Sequence, residues 1–149
     1  MTQRMSPATV APDLMKAIRA LEAYVRSNVD PTLLKLVKLR ASIINGCAFC
    51  VDMHSAEALE AGERTERLFG LAAWRDSPFY TDAERAALAL TDAATRLGDD
   101  GVPDDVWAEA AAEFDEKQLA DLVGAIGVIN MWNRIAIGFR STPLSALAA

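Results

Sequence analysis

The sequence predicts an all-α domain, and three observations carry that expectation. Strand signals are almost absent, with no β-branched alternation and no Asn-Gly hairpin set between alternating apolar residues. Helix-opening chemistry recurs instead, as proline or a capping side chain ahead of an apolar run. Apolar residues then return at spacings of three and four, the period of one helix face. No repeat, low-complexity tract or linker interrupts the chain, so residues 1–149 read as one domain of about six to eight helices.

Taken in order, Pro12 opens a first helix whose apolar positions are Leu14, Ile18, Leu21 and Val25. Asp30-Pro31 supplies an N-cap and a proline at the first helical position, for a helix through Leu34, Val37 and Ala41. Asn45-Gly46 re-aims the chain. A third helix follows from about Gly46 to Ala61 and stops at Gly62, a suitable residue just past a helix end. Residues 64–74 form a shorter helix, and "DSPFY" is a loop. Thr81 and Glu84 make a capping box ahead of "RAALALTDAATRL", which "GDDG" ends. Pro103 opens a helix to about Phe114, and the last runs from about Glu116 to Phe139.

That last helix is apolar nearly all round, yet carries Asp121, Asn130, Asn133 and Arg134. A helix without a solvated face needs partners on every side. The reading is a core helix that also meets another subunit, with Gly124 and Gly127 permitting close approach. Asn130, Asn133 and Arg134, with Trp132 beside them, are candidates for a site or an interface network, because buried polar groups need partners. Trp74 and Trp107 read as core or interface, and Met53 as packing.

Composition narrows the function. An apolar fraction of 52% excludes disorder. The net charge of −6 argues against nucleic acid, since residues 47–149 carry eight Lys/Arg against eighteen Asp/Glu and offer no cationic surface for phosphates. Lys35, Lys38 and Arg40 form a short basic stretch, read as a solvated helix face. The N-terminus lacks the apolar run of a signal peptide, and no uncharged run of about 18 residues offers a membrane span. The expected location is the cytoplasm, where close cysteines serve catalysis or metal binding more often than as static staples.

Both cysteines and the only histidine fall in "CAFCVDMH", Cys47 to His54. At about 100° per residue, Cys47 and Cys50 lie roughly 60° apart around a helix, and Cys50 and His54 roughly 40° apart, one turn on. All three share a face. Cys47 falls where the first turn's free amides and the helix dipole stabilise an anion. A thiol so placed drops from about 8.5 into a range of roughly 3.5–7.5. Three readings remain open on the residues alone. One is a redox dithiol with His54 as base. Another is a zinc site, which lacks a fourth ligand within the chain. The third is an inert core cluster.

The stretch "LVKLRASIINGCAFCVDMHSAEALEAGE", together with Trp74, "FYTDAERAALALTDAATRL" and "INMWNR", resembles the alkylhydroperoxidase AhpD-like proteins of the carboxymuconolactone decarboxylase superfamily. The likeness spans most of residues 30–140, with its core motif at about 30–63. It implies an all-α homo-oligomer, a trimer or hexamer, that uses no flavin, haem or metal. It also implies reduction of alkyl hydroperoxides, with Cys50 peroxidatic, Cys47 resolving and His54 in a proton relay. The reductant it implies is an external dithiol, lipoyl or thioredoxin-like. A dithiol–disulfide oxidoreductase or redox sensor acting on a protein, and a structural or zinc-binding oligomer, are the alternatives. A lactone decarboxylase has no need of a dithiol. One position departs from the pattern: the relay glutamate expected twelve residues before Cys47 is replaced by Lys35. Lys35 then either lowers the Cys50 thiol by its charge or faces solvent while another carboxylate serves. Glu57, on the same face as His54 and Cys50, is the candidate. Asp52 lies about 200° from Cys50 and is not.

Overall fold

The computed structural model describes residues 2–147, and these are helical with no strand among them. Eight α-helices run in order: α1 Pro7–Val10, α2 Pro12–Asn28, α3 Pro31–Asn45, α4 Ala48–Glu60, α5 Thr65–Gly70, α6 Asp82–Thr95, α7 Asp104–Glu113 and α8 Glu116–Phe139. Short 3₁₀ turns follow α5 (Leu71–Asp76) and close the described chain (Ser145–Leu147).

The caps are those the sequence advertises. Asp30 accepts from the Thr32 and Leu33 amides. Thr81 and Glu84 satisfy each other's amides at the start of α6. Asp115 and Gln118 form a second capping box, which opens α8. Gly62 takes a left-handed conformation just past α4, with its amide on the Leu59 carbonyl.

Helix α3 is the central element. It packs against α4, α6 and α8, and Leu36, Val37 and Leu39 are buried on different sides of it. Leu36 and Leu39 join Leu68, Leu71, Trp74 and Leu88, while Val37 joins Leu90, Leu122 and Ile126. Each buried aliphatic side chain contributes about 1.5–3 kcal/mol. This centrality overturns the reading of Lys38 and Arg40 as a solvated face. Both are buried, at 2% and 6% exposure, because a helix covered on several sides has no outer face at those positions. Arg40 instead forks onto Asp92 of α6 at 2.6 and 3.0 Å and donates to the carbonyls of Leu71 and Ala72. Trp74 and Arg75 complete the shell around Asp92. Burial alone would raise the Asp92 carboxyl, but hydrogen bonds from Arg40 and Arg75 hold it below its ordinary value.

A second correction concerns α2. Leu14 and Leu21 are exposed (52% and 49%), and the inward residues are Met15, Ile18, Val25 and Val29. The inward row therefore passes through Glu22, which pairs with Lys38 of α3.

Helix α8 packs against α2, α3, α4, α6 and α7. It is long and apolar enough to cross a bilayer by length and composition, yet it buries Asp121 and Asn133 and serves as a core helix. Asn45 donates to Asn130 (2.9 Å) and Asn133 (2.8 Å), and Asn133 donates to Ser42. Arg134 reaches back to Asn130. These polar groups thus find partners within the chain and fasten α8 to the end of α3.

Candidate active site

The turn between α3 and α4 builds the site. Gly46 adopts a left-handed conformation (φ 66°) and donates back to the Ser42 and Ile43 carbonyls, ending α3. One residue on, Cys47 becomes the N-cap of α4, and its Sγ accepts the Cys50 amide at 3.3 Å. The sequence places Cys47 in the first turn; it sits one position earlier, as the cap itself. Its sulfur still faces the free amides that stabilise an anion. Cys47 and Cys50 are joined in a disulfide, Cα to Cα 5.3 Å, and both are 1% exposed.

Cys50 and His54 open onto a cavity of about 310 Å³ between α2, α4 and the end of α8. Cys47 does not line it. Phe49, Met53, Met15, Trp132 and Ile135 supply its apolar walls, so Met53 is wall rather than mere packing. His54 is 3% exposed, and its Nε2 is buried without a hydrogen-bond partner. Its Nδ1 lies 2.9 Å from Glu57 Oε2. Glu57 is ionised, its carboxyl lowered from 4.5 to about 2, first by the hydrogen bond with His54. An ionised carboxylate only accepts, so Nδ1 is the ring nitrogen that donates to Glu57.

The lysine in question stands outside this arrangement. Lys35 is half-buried, makes no hydrogen bond or ion pair among the described residues and does not line the Cys50 cavity. It borders a surface groove with Glu57 and Glu60. Its neighbour one turn on, Lys38, points inward and pairs with Glu22. Glu22 also accepts from Arg26 (2.5 Å) and from the Trp132 indole (3.3 Å), and Arg26 reaches Glu57 at 3.1 Å. A continuous chain of hydrogen-bonded side chains thus runs Lys38–Glu22–Arg26–Glu57–His54. Burial pulls the Lys38 ammonium below its ordinary value, offset in part by Glu22.

Glu22, Arg26 and Lys38 are the site residues that sequence reasoning missed. The sequence carries one signal for them, a carboxylate on the inward row of α2, which the apolar spacing of Leu14 and Leu21 masks. Trp132 joins the site, whereas Asn130, Asn133 and Arg134 belong to the α3–α8 fastening. Asp52 lies elsewhere, accepting from the Ser145 amide and hydroxyl. Among the described residues, no three His, Cys, Asp or Glu side chains converge as metal ligands.

An all-helical frame that caps one helix with a cysteine pair and sets a carboxylate-oriented histidine one turn on defines a helical C-x-x-C protein. The chain belongs to the carboxymuconolactone decarboxylase family, whose model matches residues 12–93. An uncharacterised Bacillus subtilis protein, YdfG, is 41% identical over 138 residues, covering 92% of this chain and 94% of that one. A solved structure of an Agrobacterium tumefaciens protein of unknown function, provisionally named an antioxidant defence protein AhpD, matches with a TM-score of 0.92. The two are 45% identical, over 95% of this chain and 98% of that one. A debrominase in its apo form shares the fold at a TM-score of 0.80 and 23% identity, over 91% and 73% of the respective chains.

Proposed function

We propose that the protein is a cytoplasmic thiol-dependent peroxidase that reduces hydroperoxides through Cys50 and Cys47. The observation that carries this reading is the division of labour at the cavity: Cys50 and His54 line it and Cys47 does not, while Glu57 holds Nδ1 of His54 and leaves Nε2 without a partner. In the reduced protein His54 Nε2 takes the Cys50 thiol proton. The thiolate attacks the terminal peroxide oxygen; the S–O bond forms as the O–O bond breaks. The departing alkoxide takes the proton from His54 and leaves as an alcohol. Cys47 then displaces the hydroxyl of the Cys50 sulfenic acid, giving the disulfide and water. An external dithiol returns both thiols and is itself oxidised to a disulfide.

The near-complete burial of both sulfurs favours small substrates over a protein surface, and a slender lipoyl arm over a thioredoxin-like partner. It also weighs against the alternative of a general dithiol–disulfide oxidoreductase. Assembly as a homo-oligomer, a trimer or hexamer, is part of the proposal. The test is to add an alkyl hydroperoxide to reduced protein and follow products by mass. A loss of two hydrogens in the parent, a trapped sulfenic acid in Cys47→Ser and no turnover in Cys50→Ser are expected. Full turnover in Cys50→Ser with a competent dithiol donor would sink the proposal.

A further inference from the structure

Charge around the cavity is almost entirely paired. Glu22 is matched by Lys38 and Arg26, and Arg26 also by Glu57, which in turn holds His54. Those two cations and two carboxylates cancel. Arg19 remains. It lies on α2 one turn before Glu22, borders the same cavity, is exposed, and makes no ion pair or hydrogen bond among the described residues. The cavity therefore has apolar walls, the buried Cys50 and His54 in its lining, and one uncommitted guanidinium, that of exposed Arg19. A guanidinium is always charged and its fork matches a carboxylate. An apolar wall has no use for a cation, so the arrangement suits a ligand apolar along its length and anionic at its outer end.

We infer that Arg19 is a specificity-determining residue, and that the cavity selects amphiphilic hydroperoxides bearing a carboxylate remote from the peroxide group. This rests on the peroxidase reading for its chemistry. Carboxylate recognition itself does not depend on turnover, so the two can fail separately. The peroxide would sit against Cys50 and His54, with the chain along Phe49, Met53 and Trp132 and the carboxylate on Arg19.

Binding is measured by calorimetry on the whole protein, with decanoate and methyl decanoate as probes. Decanoate is expected to bind more tightly than its ester. Arg19→Gln should weaken decanoate at least about fivefold, the scale of one solvent-facing charge-assisted pair, and leave the ester unchanged. Arg19→Lys should restore part of the loss. With a hydroperoxy fatty acid as substrate, Arg19→Gln should raise KM by a similar factor at constant kcat, since uniform binding is lost rather than chemistry. Its methyl ester should show no change. Equal affinity for decanoate and ester, or equal losses for both in Arg19→Gln, would overturn the inference. Arg19-dependent decanoate binding in a protein that consumes no peroxide would uphold it and sink the peroxidase reading instead.

Discussion

A histidine has two ring nitrogens, and at His54 the surroundings give them different duties. Glu57 holds Nδ1–H and leaves Nε2 without a partner, which in the proposed cycle is the nitrogen that takes the Cys50 proton. Replacing Glu57 by Gln removes the negative charge that favours an imidazolium. The Cys50 alkylation profile of the reduced protein should then shift upward by roughly one pH unit, the scale of one charge-assisted hydrogen bond. An unchanged profile would remove Glu57 from the proton path. The same residue links stability to pH. Its carboxyl is lowered to about 2 in the folded protein, first by the His54 hydrogen bond. The stabilisation is therefore complete above the ordinary carboxylate range and is lost as pH falls through about 2, a dependence that Glu57→Gln should flatten. At this scale the sequence was readable where spacing alone decides. Cys47, Cys50, His54 and Glu57 are neighbours on one short helix, and helical geometry brings them together. Glu22, Arg26 and Lys38 come from two other helices. Their meeting depends on how α2 rolls against α3, which no local period specifies.

Between elements, the principal polar tie is Arg40 of α3 on Asp92 of α6, with the Leu71 and Ala72 carbonyls gathered by the same guanidinium. A buried pair is a weak net stabiliser, but breaking it from one side strands a buried charge. Asp92→Ala is thus expected to lower unfolding stability in urea by about 3–5 kcal/mol. The double variant Arg40→Met/Asp92→Leu should recover much of that loss, because it leaves no charge uncompensated. Losses that simply add would place the role of Asp92 elsewhere, for instance with Arg75. Helix ends were legible here because caps are local chemistry: Asp30-Pro31, Thr81 with Glu84, and Gly62 all act as their residue types require. Helix faces were less so. Leu14 and Leu21 look like core residues on α2, yet they are outside because Glu22 occupies an inward position. A single half-buried carboxylate on the inward side changes which residues of the helix face the core. The basic residues of α3 mislead for the same reason, since their partners Glu22 and Asp92 lie 16 and 52 residues away.

For the whole molecule, the outer side of α8 bears on the proposed homo-oligomer. Val123, Gly124, Gly127, Met131 and Ile137 are exposed on a helix whose other sides are core. A Cβ added at Gly127 would meet nothing within 4 Å in the protomer. Nothing inside the subunit therefore calls for glycine there. Glycine also costs about 0.5–1 kcal/mol in a helix interior relative to alanine. A small residue kept at that cost on an apolar outer face is accounted for if another copy approaches it closely. Gly127→Gln separates the two roles. Within the subunit it should be neutral or slightly stabilising, because helix propensity improves and no contact is strained. Between subunits it would insert a polar side chain where backbones meet. Light scattering is expected to give a trimeric or hexameric mass for the parent and a smaller one for Gly127→Gln, with helical content unchanged. If the variant keeps the parent's mass, the subunits meet through some other face and α8 is a core helix alone.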